Sequence, residues 1–167
     1  AQPRETKNFA NENISSGNHS TTTDSVGRYI FDAGSDNQIT TRLEGPFVNV
    51  NNLAQADAHA TANIPPYTNN INWTNYDTSY QKEESNVFYH ANRIHDYFTQ
   101  GPEPFTMEEL NFQMQANVQL NDTCNAYADG TSINFFQAGG GCEALSLSSD
   151  VIYHEYTHNL TFAIAPL

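Results

Sequence analysis

The chain has 167 residues, the size of one ordinary domain with a core of its own. Its formal net charge is −13 with six Lys plus Arg, which argues against phosphate backbones and anionic membrane surfaces as partners. Charged residues are only 15%, so neutral Asn, Thr and Ser carry the polar surface, a chemistry common outside the cell. No apolar run approaches the ~20 residues needed to span a bilayer.

In chain order, residues 1–25 are polar, with Ser-Ser-Gly at 15–17 and a Thr run at 21–23, and predict an irregular lead-in. From residue 26 the composition changes. Val26–Phe31, Gln38–Leu43 and Phe47–Val50 are short β-prone runs separated by turn formers, which predicts antiparallel strands. Residues 51–82 are rich in turn formers, including Pro65-Pro66, and predict a surface path. A helix is expected from near Ser85, with Val87, Ala91, Ile94 and Phe98 on its buried face and Gly101-Pro102 beyond its end. Residues 112–120 then alternate. Phe112, Met114, Ala116, Val118 and Leu120 are apolar, and the Gln and Asn residues between them are polar, as in a half-buried strand. A further strand fits 132–136. The last helix should start near Ser148-Ser149-Asp150 and run to about Ala163, since Pro166 cannot continue it.

Cys124 and Cys142 bracket a segment ending Gly139-Gly140-Gly141. They are either a disulfide or two separate buried thiols. Pairing would constrain a floppy glycine run and stabilise the fold by roughly 3 kcal/mol, and the extracellular character of the surface favours it. Sequons begin at Asn13, Asn18, Asn72, Asn121 and Asn159 and arise readily in an Asn-rich chain.

The chemistry concentrates in His154-Glu155-Tyr156-Thr157-His158. Two histidines four apart on a helix project from one face, where both can ligate one Zn²⁺. Glu155 follows the first ligand by one residue and can serve as general base for a metal-activated water. The apolar neighbours Val151, Ile152, Leu160 and Ala163 place the motif on a buried helix, where polar side chains need a reason. His90 and His95, five apart, are poorly spaced to share a metal and read as structural. His19 and His59 sit in polar stretches. Asp122, Asp129 and Asp150 could bind Ca²⁺, but loop and helix-cap roles are the simpler reading.

The run Asp150–His158 resembles the active-site helix of thermolysin-like zinc metallopeptidases, most of all the fungalysin branch. Asn86–Phe98 is similar to the aromatic helix that buttresses it, and Cys124-Asn125-Ala126-Tyr127 with Gly130-Thr131 and Ile133-Asn134-Phe135 is similar to the family's edge strand and the strand after it. The resemblance implies an α+β fold: a β-rich N-terminal lobe (26–167) with the buttress helix and the zinc helix beside twisted antiparallel strands. It implies a secreted zinc endopeptidase acting on polypeptides. His154 and His158 would be zinc ligands, Glu155 the base, and Asn125 and Ala126 the residues holding the substrate main chain. In that family the third ligand is a Glu on a later helix, and no residue of this sequence follows Leu167. The expected partners are therefore a helical C-terminal lobe, in the same parent chain or a second one, and a propeptide. Without that lobe, these residues alone should be inactive. The rival readings are a non-catalytic extracellular interaction domain with a residual metal motif, and a zinc aminopeptidase of the same clan.

Overall fold

A computed structural model of the chain describes residues 6–30, 38–63, 71, 73, 79–100 and 110–164. The fold is α+β, with two four-stranded sheets and two long helices. The first sheet has the order β2-β1-β3-β5 and is antiparallel throughout, from β1 (Asn13–Ser16), β2 (His19–Thr22), β3 (Gln38–Arg42) and β5 (His59–Asn63). The second has the order β4-β6-β8-β7, from β4 (Val48–Asn52), β6 (Met114–Thr123), β7 (Ala126–Ala128) and β8 (Ser132–Gln137). Helix α1 spans Ser79–Gln100 and α2 spans Ser149–Ile164.

The expectation of antiparallel strands holds for the first sheet and fails for most of the second. There β4 pairs with β6, and β6 with β8, in parallel; only β7 runs against its neighbour. Alternation of apolar and polar residues reports a half-buried strand but not its direction. Direction follows from the connection, and α1 lies in the crossover that parallel β4 and β6 require.

The irregular lead-in also fails in part. Residues 13–22 form the β1–β2 hairpin, and β1 pairs with β3. Ile14 is the apolar anchor, and the side chains of Ser16 and Thr23 bond backbone carbonyls, so a polar sequence still makes a sheet. Conversely, residues 26–30 of the expected strand are turn and irregular backbone, while Phe31 lies outside the described residues. The surface path expected for 51–82 contains β5.

Helix α1 begins about a turn and a half before Ser85. Its most buried stripe is Glu84, Phe88, Ala91 and His95, flanked by Val87, whereas Ile94 and Phe98 are only half-buried. The stripe is hidden from an apolar count because a Glu and a His occupy its ends. Glu84 accepts hydrogen bonds from Asn52 Nδ2 at 2.8 Å and the Ala58 N–H at 2.7 Å. His95 stacks on Phe47 with ring centroids 3.8 Å apart.

The core lies between the second sheet and the two helices, built on Val48, Val50, Val87, Phe88, Met114, Ala116, Val118, Ile133, Phe135, Ile152 and Tyr156. In β6 the alternation holds to Val118 and then reverses. Gln119, at φ +63°, marks a bulge; it turns inward and donates to Glu83 Oε2 at 2.6 Å, while Leu120 moves to a half-buried position.

Candidate active site

After β6 the chain crosses the end of β8 through Cys124 and Asn125, then returns as β7 on the far side. The crossing needs the left-handed backbone of Cys124, at φ +62°. Cys124 and Cys142 form a disulfide, with Cα atoms 5.3 Å apart. Cys142 closes a tight hairpin in which the Gly139 and Cys142 N–H groups each donate to the other's carbonyl. Gly140 and Gly141, both at positive φ, make its turn. The bridge thus staples the glycine hairpin to the point where β7 begins.

β7 is an edge strand, paired with β8 and with no other strand among the described residues. The Asn125 carbonyl accepts from the Phe136 N–H, and the Asp129 N–H donates to the Ser132 carbonyl. Odd-numbered residues therefore bond inward to β8, and the main-chain groups of Ala126 and Ala128 face the open edge.

Helix α2 packs beside this edge. Its buried stripe is Ile152, Glu155, Tyr156, Asn159 and Leu160, at the i, i+3, i+4, i+7, i+8 spacing of one helix face. His154 and His158 are exposed, one turn apart, with their Nε2 atoms 2.9 Å apart. Two nitrogens on one tetrahedral Zn²⁺ at 2.0–2.1 Å would lie roughly 3.3 Å apart, so the pair needs only a small spread to share the ion. Imidazole nitrogen suits that metal, and the two residues fit it. Among the described residues no group of three or more His, Cys, Asp or Glu side chains converges for a metal.

A cleft of about 330 Å³ lies between α2 and β7, lined by Asn125, Ala126, Leu145, Asp150, Val151, His154 and Glu155. Four of the five residues singled out in the sequence for metal, base or substrate thus border one cleft, and the fifth, His158, stands against His154. Glu155 is 7% exposed and accepts none of the hydrogen bonds made among the described residues.

The chain matches the thermolysin metallopeptidase catalytic domain over residues 6–162. It belongs to that family. No curated protein matches it in direct sequence comparison. Membership in the thermolysin family implies a zinc-dependent endopeptidase with polypeptide substrates. The two sheets and two helices are consistent with the N-terminal lobe of such a peptidase. No helix among the described residues is long and apolar enough to cross a membrane.

Other histidines take structural places. His90 Nδ1 lies 2.7 Å from the Tyr153 hydroxyl, linking α1 to the residue before His154; burial holds the His90 pKa below the usual histidine value. His95 Nδ1 lies 3.3 Å from its neighbour Asp96. Asp129 is a loop former: its carboxylate accepts from the N–H and hydroxyl groups of both Thr131 and Ser132. Partial desolvation raises its pKa, but these four bonds outweigh that and bring it down to about 2.

Sequence reading missed Asn159, which is fully buried in a stripe otherwise made of apolar side chains and Glu155. The signal was present, since Asn159 follows Glu155 by four residues. Its amide nitrogen donates to Met114 Sδ at 3.0 Å, so this sequon is closed to glycosylation in the folded chain.

Proposed function

We propose that the chain is the zinc-holding and substrate-aligning lobe of a secreted endopeptidase. The observation that carries the reading is the shared cleft, with His154 and Glu155 on one wall and Asn125 and Ala126 on the other. In this reading His154 and His158 hold the zinc. When bound, zinc supplies Lewis acidity at the scissile carbonyl and acidifies the attacking water. Glu155 takes the proton of that water on its carboxylate and returns it to the leaving amine. Ala126 offers main-chain N–H and C=O at the open strand edge, where an extended peptide adds as a further strand. Asn125, whose own carbonyl is used by β8, contributes its exposed side-chain amide. Recognition through the main chain tolerates many side chains, which suits an endopeptidase better than an aminopeptidase.

The third zinc donor and the oxyanion partner would come from a helical C-terminal lobe, in the parent chain or a second chain. Two imidazoles leave a catalytic zinc short of one protein ligand. A propeptide is a further partner by the same family likeness. The aromatic run Asn86–Phe98 and Cys124-Asn125-Ala126-Tyr127 support the fungalysin branch, and the disulfide supports an oxidising, extracellular location.

The test is Glu155→Gln in the zinc-loaded full-length protein. Peptide hydrolysis should fall by about 10²–10⁴-fold with zinc content unchanged, because the variant keeps the size and loses the base. Near-normal turnover would remove Glu155 from the mechanism, whereas a zinc-loaded wild type that hydrolyses no peptide would favour a non-catalytic interaction domain.

A further inference from the structure

Asn159 is 0% exposed and stands next to His158. A fully buried Asn is uncommon and is expected to satisfy its polar atoms. One partner of Asn159 lies on a strand of the second sheet and the other in a turn between two of its strands. Its Oδ1 accepts from the Gly130 N–H at 2.7 Å, and its Nδ2 donates to Met114 Sδ, at the start of β6. The sulfur is a weak acceptor, so the bond to Gly130 is the directional one.

Gly130 sits in the turn between β7 and β8, at φ +91°, a conformation that favours glycine. Asp129 gathers the amides and hydroxyls of Thr131 and Ser132 onto its carboxylate, and the Gly130 N–H points instead at α2. On the same helix face one turn later, Phe162 lies 3.8 Å from where a Gly130 Cβ would be. One end of β7 is thus stapled by Cys124–Cys142, and the other is hydrogen-bonded to the residue beside a metal ligand. A three-residue edge strand with one partner has little stability of its own. Its distance from His154 and His158 is set by these two anchors.

We infer that Asn159 is a positioning residue, fixing the substrate-binding edge of β7 against the metal-bearing helix through the Gly130 amide. The inference rests on the peptidase reading above. A peptide laid along Ala126 then meets the imidazoles at a set distance, and a misplacement of about 1 Å can cost on the order of 10²-fold in rate.

The experiment compares Asn159→Leu, of similar size and without the acceptor, with Asn159→Asp, which keeps an oxygen at Oδ1. Both are made in the zinc-loaded full-length enzyme and assayed on an extended peptide and on a short one that does not reach along β7. Zinc affinity is read by chelator competition, and exchange of the Gly130 amide by NMR. For Asn159→Leu the expected result is a fall of about 10–100-fold in kcat/KM on the extended peptide, with a smaller fall on the short one. Zinc affinity should stay within about threefold, and the Gly130 amide should lose its protection. Asn159→Asp should recover most of the extended-peptide activity and the protection. Equal loss on both peptides together with weakened zinc binding would overturn the inference, as would full activity of Asn159→Leu. If the Leu variant does not fold, the Asp variant and the wild-type exchange rate decide: a Gly130 amide exchanging like an exposed one in the wild type sinks the proposal. A wild-type enzyme that cleaves neither peptide removes the peptidase reading, and the inference with it; an active wild type matched by Asn159→Leu removes the inference alone.

Discussion

Glu84 on α1 and Glu155 on α2 are both buried helix carboxylates on stripes that face the same core, yet their surroundings differ completely. Glu84 has each oxygen occupied, one by Asn52 Nδ2 and one by the Ala58 N–H. Its neighbour Glu83 receives Gln119 Nε2 and Ser146 Oγ on a single oxygen, each at 2.6 Å. Among the described residues Glu155 has no such donor, and it opens onto the cleft beside His154. Burial raises the pKa of both Glu83 and Glu84, with their hydrogen bonds pulling the other way. The difference separates buried acids that join elements from one that is left open to a cleft. Oxygens met by donors from other elements hold those elements together, whereas the Glu155 carboxylate opens onto the cleft, where the reading proposed above puts it to use as a base.

The sharpest way to break this contrast is to neutralise each acid in turn. Glu155→Gln should lower turnover by the 10²–10⁴-fold stated above while shifting thermal stability little, since no hydrogen bond among the described residues is lost. A large drop in melting temperature with activity kept would reverse the assignment. Glu84→Leu should do the opposite. It orphans two buried donors, at about 1–3 kcal/mol each, so denaturant unfolding should show a loss of about 2–6 kcal/mol. Zinc content per folded molecule should be unchanged.

Glu12 extends the comparison to the first sheet. It is buried, with Oε1 accepting from Thr41 Oγ1 and Trp73 Nε1. Desolvation outweighs both bonds and pushes its pKa up from 4.5 to about 7. A raised folded-state pKa means that the protonated acid is favoured in the fold. Its contribution is full below pH 4.5 and is lost as pH rises toward 7, on the order of 3 kcal/mol across that window. Glu83 and Glu84 push in the same direction. Glu12→Gln should flatten its share of the slope in unfolding measured from pH 4 to 8; an unchanged slope would place the titration elsewhere.

The smallest effect is expected at Asp129, whose pKa is lowered rather than raised. Its stabilisation is present above pH 3.8 and is lost as pH falls toward 2. The group is exposed, so solvent screening limits the benefit to at most about 1 kcal/mol. Asp129→Ala should therefore barely move the unfolding midpoint at neutral pH. A loss of several kcal/mol there would show that the β7–β8 turn supports more of the fold than its contacts suggest.

Much of the local structure was legible in the sequence. The expected strand at 132–136 lies within β8, and the helix carrying the histidines follows from its start and stop signals; the disulfide was the favoured of two readings, on the glycine run it brackets and the extracellular character of the surface. His154, Glu155 and His158 are arranged by helix geometry alone, because one turn of backbone fixes which faces they share. Tertiary structure decided the rest. Strand direction in the second sheet depended on a crossover of some sixty residues, which no local pattern encodes. The bulge at Gln119 reversed β6 because Glu83, from another element, offered its side chain a buried acceptor. The buried stripe of α1 ends in Glu84 and His95, polar residues that enter a core only once Asn52, Ala58 and Phe47 are there to meet them. Asn159 is the same case beside His158. Its position in the stripe is set by helical periodicity, but its bond to Gly130 exists only because the fold brings the turn of β7 and β8 against α2.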